Sequence, residues 1–199
     1  MTWIRTVSFE EADGQLRKLY EQIQTDDGHI DNILKAHSLR PRTLSGHLAL
    51  YKSAMHTTPH ALSPRERELV GACVSLSNQC DYCVDHHRAG LARHVGDSAL
   101  AERLVDASLM EGDVSTLTPR EQELCRYALK LTRSPATMNV NDLSPLRSVG
   151  LDDAGILDLN QIVSYFAYAN RTVLGLGITT DGEPLGLHPD EDREDYKHA

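Results

Sequence analysis

Aromatic residues are scarce in this chain of 199 residues. Phe, Trp and Tyr together make up 5% of the sequence, with two Phe and one Trp. That is little for a β-sandwich or barrel, whereas a helical core can be built from Leu, Ala and Val. No apolar run approaches the ~18 residues that suggest a membrane span, and the N-terminal residues lack the apolar stretch of a signal peptide. We therefore expect a cytoplasmic protein with no membrane partner.

Concentrated positive charge is also missing. The 20 Lys and Arg residues are scattered among 29 Asp and Glu, which gives a formal net charge of −9. Nucleic acids and anionic membrane surfaces need a concentrated basic face, so we expect neither as a partner. In a reducing compartment structural disulfides are improbable. A close Cys-x-x-Cys pair in such a compartment points instead to redox chemistry or metal binding.

Helical periodicity dominates what is present. Apolar residues recur at helical spacing in residues 10–24, 43–55, 97–108 and 152–175. Two capping boxes with Pro at the first helical position predict two further helices. They are Ser63-Pro64-Arg65-Glu66 and Thr118-Pro119-Arg120-Glu121. No segment alternates as a half-buried strand does. The sequence predicts an all-α bundle of roughly seven or eight helices.

An internal repeat accompanies the capping boxes. Residues 62–69 recur as residues 117–124, which suggests a duplicated helical hairpin. Where the first copy has a Cys-x-x-Cys motif followed by a histidine, the second copy has Pro135, Met138 and Asp142. The repeated cap is therefore structural, and the cysteines and histidine are an addition to one copy.

The chain is predicted to form a single helical domain over residues 1–180, followed by an acidic tail over residues 181–199. The tail holds two Pro and few apolar residues, so it is either loose or laid over a neighbouring element. The last long helix is apolar nearly all round, with Ile162, Val163, Tyr165, Phe166, Tyr168 and Val173. Such a helix is buried on more than one side, which predicts a homo-oligomer.

The residues able to carry chemistry cluster at one predicted helix start. Cys80 and Cys83 are spaced i, i+3, so both thiols lie on one helix face, close enough to form a disulfide. The positive end of the helix dipole favours a thiolate there. His87 lies one turn beyond Cys83 and two turns beyond Cys80, so it can serve Cys83 as a base. Glu68, on the preceding helix, is brought back toward His87 if the two helices are antiparallel.

This set matches the needs of hydroperoxide reduction. A thiolate attacks the peroxide and becomes a sulfenic acid, which the second cysteine condenses into a disulfide. A histidine backed by a carboxylate supplies the proton that the leaving oxygen needs. A partner dithiol then reduces the disulfide by exchange. Cys83 is our choice for the attacking thiol and Cys80 for the resolving one, and the reverse order stays open.

The spacing Glu68, eleven residues, Cys80, two residues, Cys83, three residues, His87 resembles the AhpD-like alkylhydroperoxidases of the carboxymuconolactone decarboxylase superfamily, especially their peroxidase-related branch. The resemblance extends to Trp3-Ile4, Glu11-Ala12 and Asn170-Arg171, and so over most of the chain.

The resemblance implies an AhpD-like helical bundle that assembles as a trimer or hexamer. It also implies a cofactor-free enzyme without a metal, in which Glu68, Cys80, Cys83 and His87 form a proton relay and a redox dithiol. The substrate would be a small organic hydroperoxide and the reductant a thiol or dithiol protein. AhpD itself has a histidine between the cysteines, where this chain has Tyr82, so a relay through that histidine cannot operate in the same way.

Other interpretations of the thiol pair stay open at this point. The two cysteines can be small buried apolar residues. With His87 they also offer three zinc ligands, although the fourth candidate, His94, lies too far along the same helix. A third interpretation keeps the redox dithiol but makes the protein a disulfide reductase or adaptor that passes electrons to a peroxiredoxin-like protein.

Structural roles are expected for several neighbouring residues. Glu68 can be structural, because Glu123 holds the equivalent place in the copy without cysteines. His86 is interpreted as a solvated neighbour of His87. Cys73 and Cys125 fall in apolar helical runs and are predicted to be core residues.

Overall fold

The computed structural model describes residues 2–186, and nine α-helices account for most of that part of the chain. They are α1 Gly14–Ile23, α2 Asn32–Ala36, α3 Pro41–Met55, α4 Pro64–Ser77, α5 Asp81–Val95, α6 Ser98–Ser108, α7 Pro119–Arg133, α8 Ser144–Ser148 and α9 Asp153–Leu176. Two 3-10 segments, Pro135–Thr137 and Val140–Leu143, lie between α7 and α8. No strand occurs within residues 2–186, so the predicted all-α class is confirmed.

The helix count exceeds the prediction because two of the helices are very short. Helices α2 and α8 have five residues each, which is too short for apolar periodicity to reveal them. Each nevertheless buries apolar side chains, Ile33 and Leu34 in α2 and Leu146 in α8. Packing against the bundle, rather than local sequence preference, therefore explains why these helices form.

Both capping boxes form as predicted. The backbone N–H of Glu66 donates to Ser63 Oγ over 3.3 Å, and the Ser63 N–H donates to Glu66 Oε2 over 2.8 Å. Thr118 and Glu121 make the same pair of bonds, over 3.2 and 2.8 Å. Each cap satisfies backbone donors that a helix start leaves open and contributes about 1 kcal/mol.

Reciprocal ion pairs join the two repeats. Arg65 Nε donates to Glu121 Oε1 over 2.8 Å, and its equivalent Arg120 donates through Nε to Glu66 Oε1 over 2.7 Å. This exchange is what a local two-fold relation between α4 and α7 produces. The repetition ends after these helices, because the second copy has the two 3-10 segments where the first has α5.

Helix α4 lies at the centre of the bundle and contacts α5, α6, α7 and α9. Residues 67–75 of α4 are all buried. Gly71 permits the close approach of α9, since a Cβ at that position would lie 2.4 Å from Cζ of Phe166. The pairing of α4 with α5 on one side and α9 on the other positions the site described below.

The start of the predicted tail lies against the bundle. The backbone N–H of Asn32 donates to Glu183 Oε2 over 2.7 Å, and the Glu183 side chain is 0% exposed. Residues 187–199 lie outside the described residues, so the division at residue 180 stays a prediction. Among the described helices, none combines the length and the apolar character needed to cross a membrane.

Candidate active site

The turn between α4 and α5 places the two thiols at the start of α5. The N–H of Cys80 donates to the carbonyl of Ser75 over 2.9 Å, and that of Gln79 donates to Leu76 over 3.0 Å. These are the two hydrogen bonds of a Schellman ending, with Gln79 in the left-handed region at φ 56°. Cys80 thereby becomes the N-cap of α5, and Cys83 lies in its first turn.

Cys80 and Cys83, hereafter the thiol pair, are both buried, with 0% and 4% exposure. A hydrogen bond from the Cys83 thiol lowers the pKa of Cys80, and the backbone N–H of Cys83 adds to the effect. The same thiol–thiol bond, together with burial, raises the pKa of Cys83 well above its usual range. The first proton is thus lost from Cys80 rather than from Cys83, and the Cys83 thiol shares its proton with the Cys80 sulfur through this hydrogen bond.

A polar cradle holds the thiol pair from the side of α9. Asn170 is 1% exposed, and its Nδ2 donates to Ser75 Oγ over 3.0 Å while its Oδ1 accepts from Asn78 Nδ2 over 2.9 Å. Hydrogen bonding from Asn170 lowers the pKa of both thiols. Asn170 was expected from the family resemblance alone, with no role assigned to it. The available signal was an Asn at helical spacing from Val163 and Phe166, on the apolar stripe of α9, since a buried amide must be hydrogen-bonded.

Glu68 and His87 meet as the antiparallel arrangement of α4 and α5 requires. His87 Nδ1 lies 2.8 Å from Glu68 Oε2, and the side chains are 12% and 4% exposed. Because a carboxylate accepts, Nδ1 carries the proton and Nε2 of the neutral ring is left as a base. The ring also stands edge-on to Phe166, with centroids 4.5 Å apart, so its orientation is fixed from two sides.

A cavity of about 60 Å³ opens beside the thiol pair, and we call it the active-site cavity. Its wall is largely aromatic and aliphatic, formed by Asp31, Ile33, Leu34, His47, Leu48, Tyr51, Tyr82, Cys83, His86, His87, Tyr165, Phe166 and Ala169. Cys83 belongs to this wall, whereas Cys80 does not. Among the predicted site residues, Cys83 and His87 therefore line the active-site cavity, while Cys80 and Glu68 do not.

His86 is not the solvated neighbour that the sequence analysis expected. Its side chain is 11% exposed, and its Nε2 lies 2.6 Å from Glu183 Oε1. The Tyr82 ring packs against its ring with centroids 4.7 Å apart. The prediction was wrong because Glu183 was assigned to a tail, and no local pattern showed that this carboxylate returns to α5.

Tyr82 occupies the position between the cysteines but is committed to structural contacts. Its hydroxyl accepts from the backbone N–H of Ile33 over 3.3 Å and donates to Glu183. Burial raises the pKa of its phenol well above the usual range, and the nearby charge of Glu183 adds to this. Tyr82 is therefore a neutral hydrogen-bond donor and not a base.

Among the described residues, one group of side chains could hold a metal ion. His29, Asp31 and Glu183 bring ligand atoms within 4.8 Å of one another. Glu183 already accepts from His86, Asn32 and Tyr82, so hydrogen bonds alone account for its position. Within residues 2–186, the ligand atoms of Cys80, Cys83 and His87 do not form such a group.

Cys73 and Cys125 are core residues, as predicted, and both are fully buried. The Cys73 thiol donates to the carbonyl of Ser108 over 3.3 Å. Its contact with Cys125 raises the pKa of the latter well above the usual range, as does burial. Neither lines the active-site cavity.

Comparison with known proteins places this geometry in a family. The family model for the carboxymuconolactone decarboxylase family matches residues 41–128, a range that includes Cys80 and Cys83. A crystal structure of an uncharacterized peroxidase-related protein from Silicibacter sp. is 31% identical, with a TM-score of 0.73, over 84% of this chain and 87% of the other. The chain belongs to the carboxymuconolactone decarboxylase family. The resemblance to its AhpD-like members is thereby confirmed.

More distant structures share the fold. The alkylhydroperoxidase AhpD core of an uncharacterized peroxidase-related protein from Ralstonia eutropha has a TM-score of 0.79 at 23% identity, over 89% of this chain and 91% of the other. The debrominase Bmp8 has a TM-score of 0.70 at 14% identity over the same shares of the two chains. A search among curated proteins found no match. The AhpD-like helical fold is thus shown by structures whose described activities differ.

Proposed function

We propose that this protein is a thiol-dependent peroxidase that reduces organic hydroperoxides through the Cys80–Cys83 dithiol. The observation that supports this most strongly is the position of Cys83, which faces a mostly apolar cavity, contacts a second thiol and lies one helical turn from the Glu68–His87 pair. Because the shared fold includes a debrominase, the proposal is drawn from these side chains and not from the fold.

The first step consumes the peroxide. His87 Nε2 takes a proton from the thiol pair, and the shared proton moves to Cys80 so that Cys83 carries the thiolate. Its sulfur attacks one peroxide oxygen, an S–O bond forms and the O–O bond breaks. The leaving alkoxide takes a proton and departs as an alcohol, which leaves a sulfenic acid on Cys83.

The second step closes the disulfide. Cys80 attacks the Cys83 sulfur, and the hydroxide that leaves is protonated to water. The sum is one hydroperoxide and two thiols converted to one alcohol, one disulfide and one water. A thiol or dithiol reductant protein would restore the pair by exchange, and no cofactor enters the cycle.

The test is to add one equivalent of cumene hydroperoxide to the reduced protein, count thiols and map any disulfide by mass spectrometry. We expect rapid loss of two thiols and a Cys80–Cys83 disulfide. Cys80→Ser should stop at a sulfenic acid on Cys83, and Cys83→Ser should not react. Cys125→Ser, which alters a thiol away from the cavity, should behave like the wild type.

Two outcomes would overturn the proposal. Wild-type turnover by Cys83→Ser would exclude Cys83 as the attacking thiol. A thiol pair that ignores peroxide but exchanges readily with a protein disulfide would make the protein a reductase or adaptor.

A further inference from the structure

Cys83 lies between two histidines, each held by its own carboxylate. In a helix the residues at i+3 and i+4 both border residue i, and for Cys83 these are His86 and His87. Glu68 from α4 binds His87 over 2.8 Å. Glu183 lies in residues 177–186, which follow α9 and are called the C-terminal segment, and it binds His86 over 2.6 Å. Both imidazoles line the active-site cavity. The mechanism above uses one of these two pairs.

We propose that His86 is a second catalytic residue, which donates the proton to the oxygen that leaves the peroxide, and that Glu183 is its positioning residue. This inference rests on the proposed peroxidase function and deepens it. In the working form His86 carries a proton on each ring nitrogen. It keeps Nε2–H toward Glu183 and gives up the other proton as the O–O bond breaks, so the product leaves as an alcohol.

The environment of Glu183 supports a role beyond holding the C-terminal segment against the bundle. Its side chain is 0% exposed and accepts from three donors, His86 Nε2, the Asn32 N–H and the Tyr82 hydroxyl. Burying a carboxylate is costly unless hydrogen bonds replace the lost water. The donors come from α2 and α5 and fix both oxygens, so the carboxylate and the ring that it holds have little freedom.

In-line displacement explains why two histidines are useful. The breaking O–O bond points away from the attacking sulfur, so the thiol proton and the leaving oxygen are handled at two different places in the cavity. His87 is fixed by α4 and Phe166, whereas His86 is fixed by Tyr82 and the C-terminal segment. One imidazole can then hold the thiol proton while the other protonates the leaving oxygen. After the step, His87 returns its proton to His86 through solvent, and the cycle balances.

This arrangement also accounts for Tyr82. A histidine between the cysteines is replaced here by a residue whose hydroxyl binds Glu183, the carboxylate that orients His86. Tyr82 thus acts through Glu183 and His86 and exchanges no proton with the peroxide.

The test compares substrates that differ in the need for a proton. Cumene hydroperoxide releases a strongly basic alkoxide, whereas peracetic acid releases acetate, which leaves without protonation. We expect His86→Gln to slow thiol oxidation by cumene hydroperoxide by about 10²-fold, the scale of general acid catalysis, and to change the rate with peracetic acid little. Glu183→Gln should shift the ratio of the two rates in the same direction by a smaller factor.

His94→Gln, on the same helix but outside the cavity wall, is the control and should leave both rates unchanged. Equal losses with both peroxides in His86→Gln would mean a structural role and would overturn the inference, as would no loss with either. Should His86→Gln fail to fold, the ratio in Glu183→Gln decides. A wild-type protein that reacts with neither peroxide would instead overturn the proposed function itself.

Discussion

Glu68 and Glu123 are equivalent residues of the two repeats with different surroundings. Glu68 is buried and binds His87, whereas the Glu123 side chain is 23% exposed and pairs with Arg126. The repeat alone therefore left the role of Glu68 open, and its surroundings favour participation in the relay. A carboxylate that orients an imidazole fixes its tautomer and stabilises its protonated form during proton transfer.

Glu68→Gln should therefore reduce the rate of peroxide-driven thiol oxidation by about 10²- to 10⁴-fold, the range of general acid–base catalysis. The amide keeps the size of the side chain but lacks the charge that stabilises the imidazolium. Stopped-flow oxidation of the wild type, Glu68→Gln and the matched control Glu123→Gln checks this. An unimpaired Glu68→Gln protein would assign Glu68 a structural role.

At the residue scale, the structure brings together those predicted site residues that are close in sequence. Cys83 and His87 lie in α5, Cys80 is its N-cap and Glu68 lies in the neighbouring α4, so helical spacing was enough to group them. Asn170 and Glu183 reach the same site from distant segments through tertiary packing. Their contribution is visible only once α9 and the C-terminal segment are in place.

At the scale of elements, the contact between α4 and α9 fixes the ring that supports His87. Phe166 is 1% exposed and lies over Gly71, where an added Cβ would approach Cζ within 2.4 Å. The Phe166 ring has little space to move away from position 71, because the rings of His87 and Tyr165 also contact it. Their centroids lie 4.5 and 5.1 Å from the Phe166 centroid. A larger residue at position 71 must therefore disturb both the packing of α4 against α9 and the position of the His87 ring.

Gly71→Ala should lower the free energy of unfolding by about 1–3 kcal/mol, as overpacking of a core does, and should also slow peroxide reduction. Gly46 in α3 offers the matched control, since a Cβ there meets nothing within 4 Å. Gly46→Ala should be neutral or stabilising by about 0.5–1 kcal/mol, because Ala is the better helix residue. Urea unfolding of both variants measures the difference, and a Gly71→Ala protein as stable as Gly46→Ala would contradict the packing argument.

Element prediction followed the strength of local signals. The capping boxes at Ser63 and Thr118 formed at the expected residues. The 3-10 segments after α7 were missed, because the repeat suggested a second helix there. Pro135, in the position of Cys80, begins that segment, so the sequence identity of the two copies ends where their structures diverge.

At the scale of the whole molecule, apolar side chains on the surface bear on assembly. Leu157 and Tyr168 of α9 are 58% and 37% exposed, and their spacing places them on one face of that helix. Trp3 is 78% exposed and lies at the end of α9, where its backbone N–H donates to the carbonyl of Leu176 over 2.9 Å. The predicted burial of α9 on more than one side is thus incomplete within one chain.

We predict from this surface that the protein is a homo-oligomer, a trimer or hexamer of the 22.1 kDa chain, with α9 at the contact. Analytical ultracentrifugation of the wild type should give a mass that is a multiple of the chain mass. Leu157→Arg places a charge on the apolar face of α9 and should shift the distribution toward the monomer, because an unpaired buried charge is costly. Val140→Arg, at a residue that is 77% exposed and outside α9, should leave the mass unchanged. A monomeric wild type would contradict the predicted assembly. If only Val140→Arg lowered the measured mass of the assembly, the subunit contact would lie away from α9.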